Sequence, residues 1–338
     1  MESNDKEKLT VASFFAGVGG IDLGFERAGF KVIWANEFDK HAAKTYALNH
    51  RSTLVAKDIR EVEAKDIPDF DVMAGGFPCQ AFSIDGKQKG FSDTRGTLFF
   101  EMERIFLEKS PQVVFLENVK HLVNHDNGQT FKVILEHLEK AGYHVKWKVL
   151  NSMDYGNIPQ SRERVYIVGF KDKLACERFH FPYHIEVLTI LSDLIDYAGD
   201  VPPEFYYTEK FRGWEELKAR ANKVGEVYQW RRGRLTKIKS REGVCMTLQA
   251  SMGTGGDNAP IILTEGGGIR KLTPKECFNL MGFPQFFRLP PDMAKSHLYK
   301  QAGNSVVVPV IERIARQIRI ALGHSLSSHE KQGVIPLW

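Results

Sequence analysis

Residues 9–39 read LTVASFFAGVGGIDLGFERAGFKVIWANEFD, and the architecture of the chain follows from this stretch. A β-branched and aromatic run, Leu9–Phe15, breaks at FAGVGG (15–20) into an amphipathic segment. A second apolar run, Lys31–Asn36, then ends in acidic residues, which makes a strand, a glycine turn, a helix and a strand in the βαβ order of a parallel sheet. Outward from it the rhythm continues. DVMAGG (71–76), QVVFLEN (112–118), HVKWKVL (144–150) and RVYIVGF (164–170) read as strands. DKHAAKTYALNH, TLFFEMERIFLEK and GQTFKVILEHLEKAGY space their apolar residues as helices. The expected fold is therefore α/β, with a parallel, doubly wound, Rossmann-like sheet over Leu9–Phe170. Past Lys171 the repeat stops, and scattered Pro, Gly and aromatic residues mark a smaller, irregular, mainly β module. Near the end, KLTPKECFNLMGF (271–283) reads as a helix capped near Thr273, and Val306–Leu322 as an amphipathic helix.

The chain's 338 residues, at about 150 per domain, suit one large and one smaller domain. Its 43% hydrophobic and 26% charged residues fit a globular protein and exclude disordered, collagenous and coiled-coil classes. No apolar stretch approaches the roughly 18 residues of a membrane helix, and MESNDKEK lacks a signal-peptide core, so the expectation is a cytoplasmic protein without membrane contact. Cysteines at 79, 176, 245 and 277 match neither a disulfide framework nor a zinc site, and the histidine pairs 121/125 and 180/184 lack companion ligands, so no metal is expected.

The chemistry-bearing residues fall at strand ends. FAGVGG lets backbone approach a ligand, but Asp22 stands where the dinucleotide fingerprint needs its third glycine. Glu37, twenty residues after Gly17, is placed to accept from ribose hydroxyls, and Asp58-Ile59 to meet an adenine amine, which together suit an adenosine-type ligand without a pyrophosphate. Taken alone, the same residues also suit a plain glycine turn followed by surface acids. The next strand delivers GGFPCQAFS (75–83), with Cys79 behind Pro78 and ahead of a polar loop. A thiol with pKa near 8.5 is already in part a thiolate at neutral pH and a strong nucleophile. The following strand ends in LENV and leaves Glu117 at the same rim. Between 208 and 243 there are eleven basic and five acidic residues, an excess greater than the whole chain's net charge of +4. QWRRGRLTKIKSR (229–241) interleaves Trp and Thr with Arg, as phosphate and base contacts require.

In order and spacing, FAGVGG, NEFD, GGFPCQAFS, TRGTLFF, LENVK, NSMDYGNIPQSRERVYIVGF, RKLTPKECFNLMGFP and YKQAGNSVVVPV resemble the ordered blocks of the cytosine-C5 DNA methyltransferases of bacterial modification systems. The resemblance implies S-adenosyl-L-methionine as cofactor, held by Phe15, Gly17, Gly19, Gly20, Glu37, Phe38, Asp58, Ile59, Pro78 and Leu98, with Asn304 and Ser305 closing the pocket. It implies Cys79 as nucleophile, Glu117 as the acid on the cytosine ring, and Arg162 and Arg164 as the R-x-R pair beside the base. It also implies a catalytic domain of 1–171 and 287–338 and a target-recognition domain of 172–286. Double-stranded DNA is then the substrate partner, met by Ser83, Arg231, Arg232, Arg234, Arg241 and Thr247. Thr247-Leu248 resembles the family's Thr-Leu signature, although Met246 replaces the usual preceding proline. A monomer that flips its target base and is paired functionally with a restriction endonuclease is the corresponding expectation. Two other readings are a tRNA cytosine methyltransferase, disfavoured by the long recognition region and the absence of a Cys-Phe-Thr signature, and a catalytically silent DNA-binding regulator, disfavoured by the intact Cys79, Glu117 and R-x-R set.

Overall fold

The computed structural model describes residues 8–78, 98–199, 201–231, 233–237, 242–253 and 258–324. The described residues form two compact units, one within Met1–Leu150, Glu163–Pro182 and Ile311–Val334, the other within Asn151–Arg162, Tyr183–Val310 and Ile335–Trp338. The segments 151–162 and 287–310 group with the second unit, and 172–182 with the first.

In the first unit, strands β1 (Thr10–Phe14), β2 (Lys31–Asn36), β3 (Thr53–Val55), β4 (Val72–Gly75), β5 (Val113–Val119), β6 (His144–Asn151) and β7 (Glu163–Phe170) make a seven-stranded sheet ordered β3-β2-β1-β4-β5-β7-β6. The order reverses between β1 and β4, so their carboxyl ends flank the crevice in which open α/β sheets bind ligands. β1 and β4 are buried almost throughout, as central parallel strands are. The expectation of a parallel sheet holds for the pairs from β3 to β5 and fails at β7, which runs antiparallel to β5, with Glu117 opposite Tyr166 and Val119 opposite Arg164. β7 follows its sheet neighbour β6 after the short segment 152–162, and the chain turns back there.

Helices α1 (Gly20–Arg27), α2 (Lys40–Asn49), α3 (Leu98–Lys109) and α4 (Gln129–Lys140) connect the strands. α2 starts at Asp39, whose carboxylate accepts from the amides of His41 and Ala42 at 2.9 and 3.3 Å. α3 buries Phe99, Met102, Ile105 and Phe106 against the sheet, an apolar stripe at helical spacing. Short helices α5 (Ser152–Tyr155), α6 (Lys173–Arg178) and α7 (Trp214–Arg220) follow, then α8 (Pro274–Asn279), α9 (Lys295–Asn304) and α10 (Val308–Ala321). α10 returns to the first unit, where Arg319 donates to the Ala28 carbonyl at 2.9 Å. There Gly24 of α1 lies so close to it that an added Cβ would stand 2.5 Å from the Ile311 side chain.

The second unit holds a four-stranded antiparallel sheet of β8 (Tyr228–Arg231), β9 (Arg234–Thr236), β10 (Pro260–Leu263) and β11 (Ile269–Lys271), ordered β11-β10-β8-β9. Leu217, Tyr228, Leu235, Ile261 and Ile269 form its core. Arg270 on β11 is fully buried and grips both oxygens of Glu276 at 2.9 and 2.8 Å. The helix α8 is capped at Thr273, as the sequence indicates, and Glu276 completes a capping box with it. Among the described residues, no helix is long and apolar enough to cross a membrane.

Candidate active site

The glycine turn leaves β1 through Phe15, Gly17 and Gly19, all at positive φ (53°, 59° and 85°). Glu37, at the end of β2, holds this turn to the neighbouring strand end. Its Oε2 accepts the Gly17 amide at 2.7 Å and its Oε1 the Asp39 amide at 2.6 Å. A Cβ built on Gly17 would meet nothing within 4 Å, so the turn presents open backbone at that point. Phe38, the next residue, is an apolar ring 70% exposed at the same rim. Gly20 is buried at the start of α1.

Asn36 organises the third strand end by donating to the carbonyls of Val55 and Lys57 at 3.0 and 2.8 Å. Asp58 caps the 3-10 turn that follows it and is paired with Arg60, whose guanidinium pulls the carboxyl below its ordinary range. Ile59 is buried in the core and Leu98 packs partly against it, while Pro78 is exposed.

At the end of β5, Glu117 is only 9% exposed, and Arg164 of β7 reaches it with Nε 3.2 Å from Oε1. The antiparallel pairing of β7 produces this approach. A Cβ on Gly76, just past β4, would stand 3.1 Å from Glu117 Oε2, so the loop leading toward Cys79 passes directly over the carboxylate. Asn118 fixes that loop by donating to the Phe77 carbonyl at 2.8 Å. Cys79 and Ser83 lie outside the described residues, as do Arg232 and Arg241.

Arg162 and Arg164 part company. Arg162 precedes β7 in the second unit, where its buried guanidinium donates to the carbonyls of Leu248 and Gly303, both at 2.9 Å, and of Ser305 at 2.5 Å. It thereby ties together the segments around Thr247 and around Asn304-Ser305. The Thr247 hydroxyl donates to the Ser161 carbonyl at 2.6 Å, and Asn304 is exposed at the end of α9. Arg231 and Arg234 are exposed partners at the tip of the β8–β9 hairpin. Trp230, half-buried beside them, packs on Phe211 with ring centroids 5.1 Å apart and leans on the small core.

Sequence reasoning passed over a polar cluster beneath the glycine turn. Asp22, noted there only for not being glycine, is fully buried and accepts from Ser13 at 2.5 Å and from the Tyr46 hydroxyl. Burial pushes its carboxyl above the ordinary range. Burial also depresses the His50 imidazole, whose ring stacks on Tyr46 at 4.2 Å. Among the described residues no group of three or more His, Cys, Asp or Glu is arranged to hold a metal.

A family model described as C-5 cytosine-specific DNA methylase matches residues 9–319, which takes in both units. The chain belongs to that family. Within this family of cytosine-C5 methylases it is similar to the "Type II methyltransferase M.Bsp6I" of Bacillus sp. (strain RFL6), with 54% identity over 92% of this chain and 98% of that protein. It is also similar to the "Type II methyltransferase M.NlaX" of Neisseria lactamica, with 41% identity over 92% and 96%. Among solved structures, a Spodoptera frugiperda DNMT2 mutant shares the methylase fold with a TM-score of 0.72 at 19% identity, over 92% of this chain and 99% of that one. The reaction class of the family is methyl transfer to carbon 5 of cytosine in DNA.

Proposed function

We propose that the chain methylates carbon 5 of a cytosine within a specific sequence of double-stranded DNA, using S-adenosyl-L-methionine, as the modification half of a restriction-modification pair. The observation that carries the reading is the Glu117–Arg164 pair, at 3.2 Å, beneath the loop that leads into Pro78-Cys79. An acid and a cation at the strand rim, with a candidate nucleophile one residue beyond Pro78 in the sequence, are what addition to an electron-poor ring requires.

The donor site fits its ligand on three counts. Open backbone at Gly17 admits close approach, the exposed Phe38 ring offers an apolar face for a base, and the Glu37 carboxylate stands beside that backbone as an acceptor suited to ribose hydroxyls. Phe15, Gly19, Gly20, Asp58, Ile59, Pro78 and Leu98 complete this site in the reading, and Asn304 and Ser305 are assigned to the donor on the family pattern. When bound, S-adenosyl-L-methionine supplies a sulfonium methyl as electrophile.

The protein's part is to make carbon 5 a nucleophile. The Cys79 thiolate adds to C6, and the ring electrons move toward N3, where the Glu117 carboxyl hydrogen-bonds while Arg164 stabilises the O2 side. Carbon 5 takes the methyl, a base removes the C5 proton, and elimination breaks the C6–S bond and returns the thiolate. The cytosine must leave the duplex stack to reach these groups. Arg162 acts as a positioning residue that holds the Thr247 and Ser305 segments. Sequence reading belongs to 172–286, where Arg231 and Arg234 are exposed on one hairpin. Arg232 and Arg241, with Ser83 four residues after Cys79 in the sequence, are assigned to DNA on the family pattern, and the working unit is taken as a cytoplasmic monomer.

The test is bisulfite sequencing of DNA from an expressing host, with purified protein assayed on matched duplex DNA and tRNA. Protection of one cytosine within one recurring sequence is expected. Methylation of tRNA alone, or none at all, would refute the proposal.

A further inference from the structure

The buried cluster under the glycine turn has no part in the chemistry described above, yet four separate elements converge to build it. Ser13 comes from β1, Asp22 from α1, Tyr46 from α2, and His50 and Ser52 from the turn after α2. Burying a carboxylate is costly unless it is hydrogen-bonded, and apolar side chains would fill the same space without that cost. The cluster therefore has to supply something that apolar packing cannot.

The His50 contact identifies it. Nε2 lies 3.1 Å from the Val18 carbonyl, which can only accept, so Nε2 carries the proton. The Val18 carbonyl and the Gly19 amide belong to one peptide plane, and the Gly19 amide donates to Ala16 at 2.8 Å. That plane is thus held at both ends. Gly19 also rests against the imidazole, since a Cβ there would come within 2.0 Å of Nε2. The ring is fixed in turn by stacking on Tyr46 at 4.2 Å and 24°, and the Tyr46 hydroxyl is anchored by Asp22 and by Ser52 at 2.6 Å. Glu37 fixes the preceding part of the turn through Gly17. Two clamps therefore act on a backbone that has left-handed conformations at Phe15, Gly17 and Gly19.

We infer that His50, carried on Tyr46 and Asp22, is a positioning residue for methyl-donor binding: it sets the Val18–Gly19 peptide of the glycine turn in the orientation that receives the donor. The inference rests on the reading of that turn as the donor site. A rigid turn avoids the ordering cost that a mobile one would meet on binding.

Three variants test it in the full-length protein, with S-adenosyl-L-methionine titrated calorimetrically. His50→Phe keeps a ring to stack on Tyr46 and removes the Nε2 donor. His50→Gln gives up the ring and returns an N–H donor. Glu37→Ala reports on the donor site itself. For His50→Phe, the donor Kd should rise about five- to tenfold, the scale of one lost hydrogen bond to a sealed carbonyl. The donor KM should rise in step while the DNA KM stays at the parent value. His50→Gln should recover most of the affinity. A Kd for His50→Phe within twofold of the parent, alongside a weakened Glu37→Ala, would overturn the role of His50 and leave the donor site standing. Unchanged affinity in both would overturn the donor site as well. Equal losses in the Phe and Gln variants would assign the effect to packing and overturn the inference.

Discussion

Replacing Glu37 by glutamine changes one atom of the side chain and reverses its hydrogen-bonding character on one side. Both carboxylate oxygens accept backbone amides, from Gly17 at 2.7 Å and from Asp39 at 2.6 Å. A carboxamide has one acceptor and one donor group, so in either flip state an NH2 faces an N–H, and one of the two bonds is lost. If the Gly17 bond is lost, the turn is released from β2. If the Asp39 bond is lost, the Glu37–Asp39 turn into α2 opens. In both cases the acceptor oxygen that remains belongs to a neutral group. A hydrogen bond to a charged group contributes about 1.5–3 kcal/mol, which corresponds to a rise of about 10- to 150-fold in the donor Kd for Glu37→Ala. Glu37→Gln should fall in the same range, because it presents a donor where an acceptor is needed. Glu37→Asp keeps the charge but is one methylene short, so its loss should be smaller. Calorimetric titration with S-adenosyl-L-methionine measures the effect, and bisulfite sequencing should find the target sequence unaltered in every variant that retains activity. Donor affinity within twofold of the parent in Glu37→Ala, or a shifted target, would refute the assignment.

Cys79→Ser should abolish methyl transfer while donor and DNA binding persist, and the parent protein should form a cofactor-dependent covalent adduct on DNA carrying 5-fluorocytosine at the target, since no C5 proton is there to be removed. Full activity in the serine variant, or no adduct with the parent, would contradict the covalent step. Arg270→Met leaves Glu276 buried without its bidentate partner and should destabilise the second unit by about 3–5 kcal/mol in denaturant unfolding; a change below about 1 kcal/mol would show that the pair adds little. Exchanging 172–286 for the matching region of a relative with another target should transfer that target to an active hybrid, and a hybrid that keeps the original sequence would refute the division of labour. Within that region, a variant of Arg231 or Arg234 that contacts guanine should cost about 1–3 kcal/mol at one position of the site, whereas loss of a phosphate contact should weaken all sequences alike and lower the salt slope by about one.

The central strands were legible because a strand buried on both faces must be apolar nearly throughout, and β1, β4 and β5 are. Strand direction has no such signature. β7 carries the same kind of apolar run as its neighbours, and only the return path of the chain after β6 sets it antiparallel to β5. That reversal is what brings Arg164 to Glu117, so the pair could be named from the motifs while its origin could not. The R-x-R spacing is similarly silent on Arg162. An extended chain would point two residues so spaced toward the same side, but β7 begins at Glu163, and Arg162 turns to carbonyls that lie 86 to 143 residues further along the chain. Trp230, an aromatic among arginines in the sequence, also packs on Phe211, a contact that its neighbours in the chain do not announce.

The difference between these cases is chemical. A reacting thiol or an acid beside a nucleophile can be only one or two residue types, and it must stand at a strand end, so composition and position together expose it. A group that holds a backbone carbonyl or amide can be any donor or acceptor of the right reach. His50, Tyr46, Asp22 and Arg162 are ordinary polar residues at unremarkable spacings, and each becomes informative only through the atom it holds. Residues proposed for the chemistry are therefore legible one at a time, whereas those that keep the site in shape are legible only as pairs, and Glu37 is read in both ways: its distance from Gly17 in sequence suggests a ligand for ribose, which its variants test, and its carboxylate is the clasp on the turn.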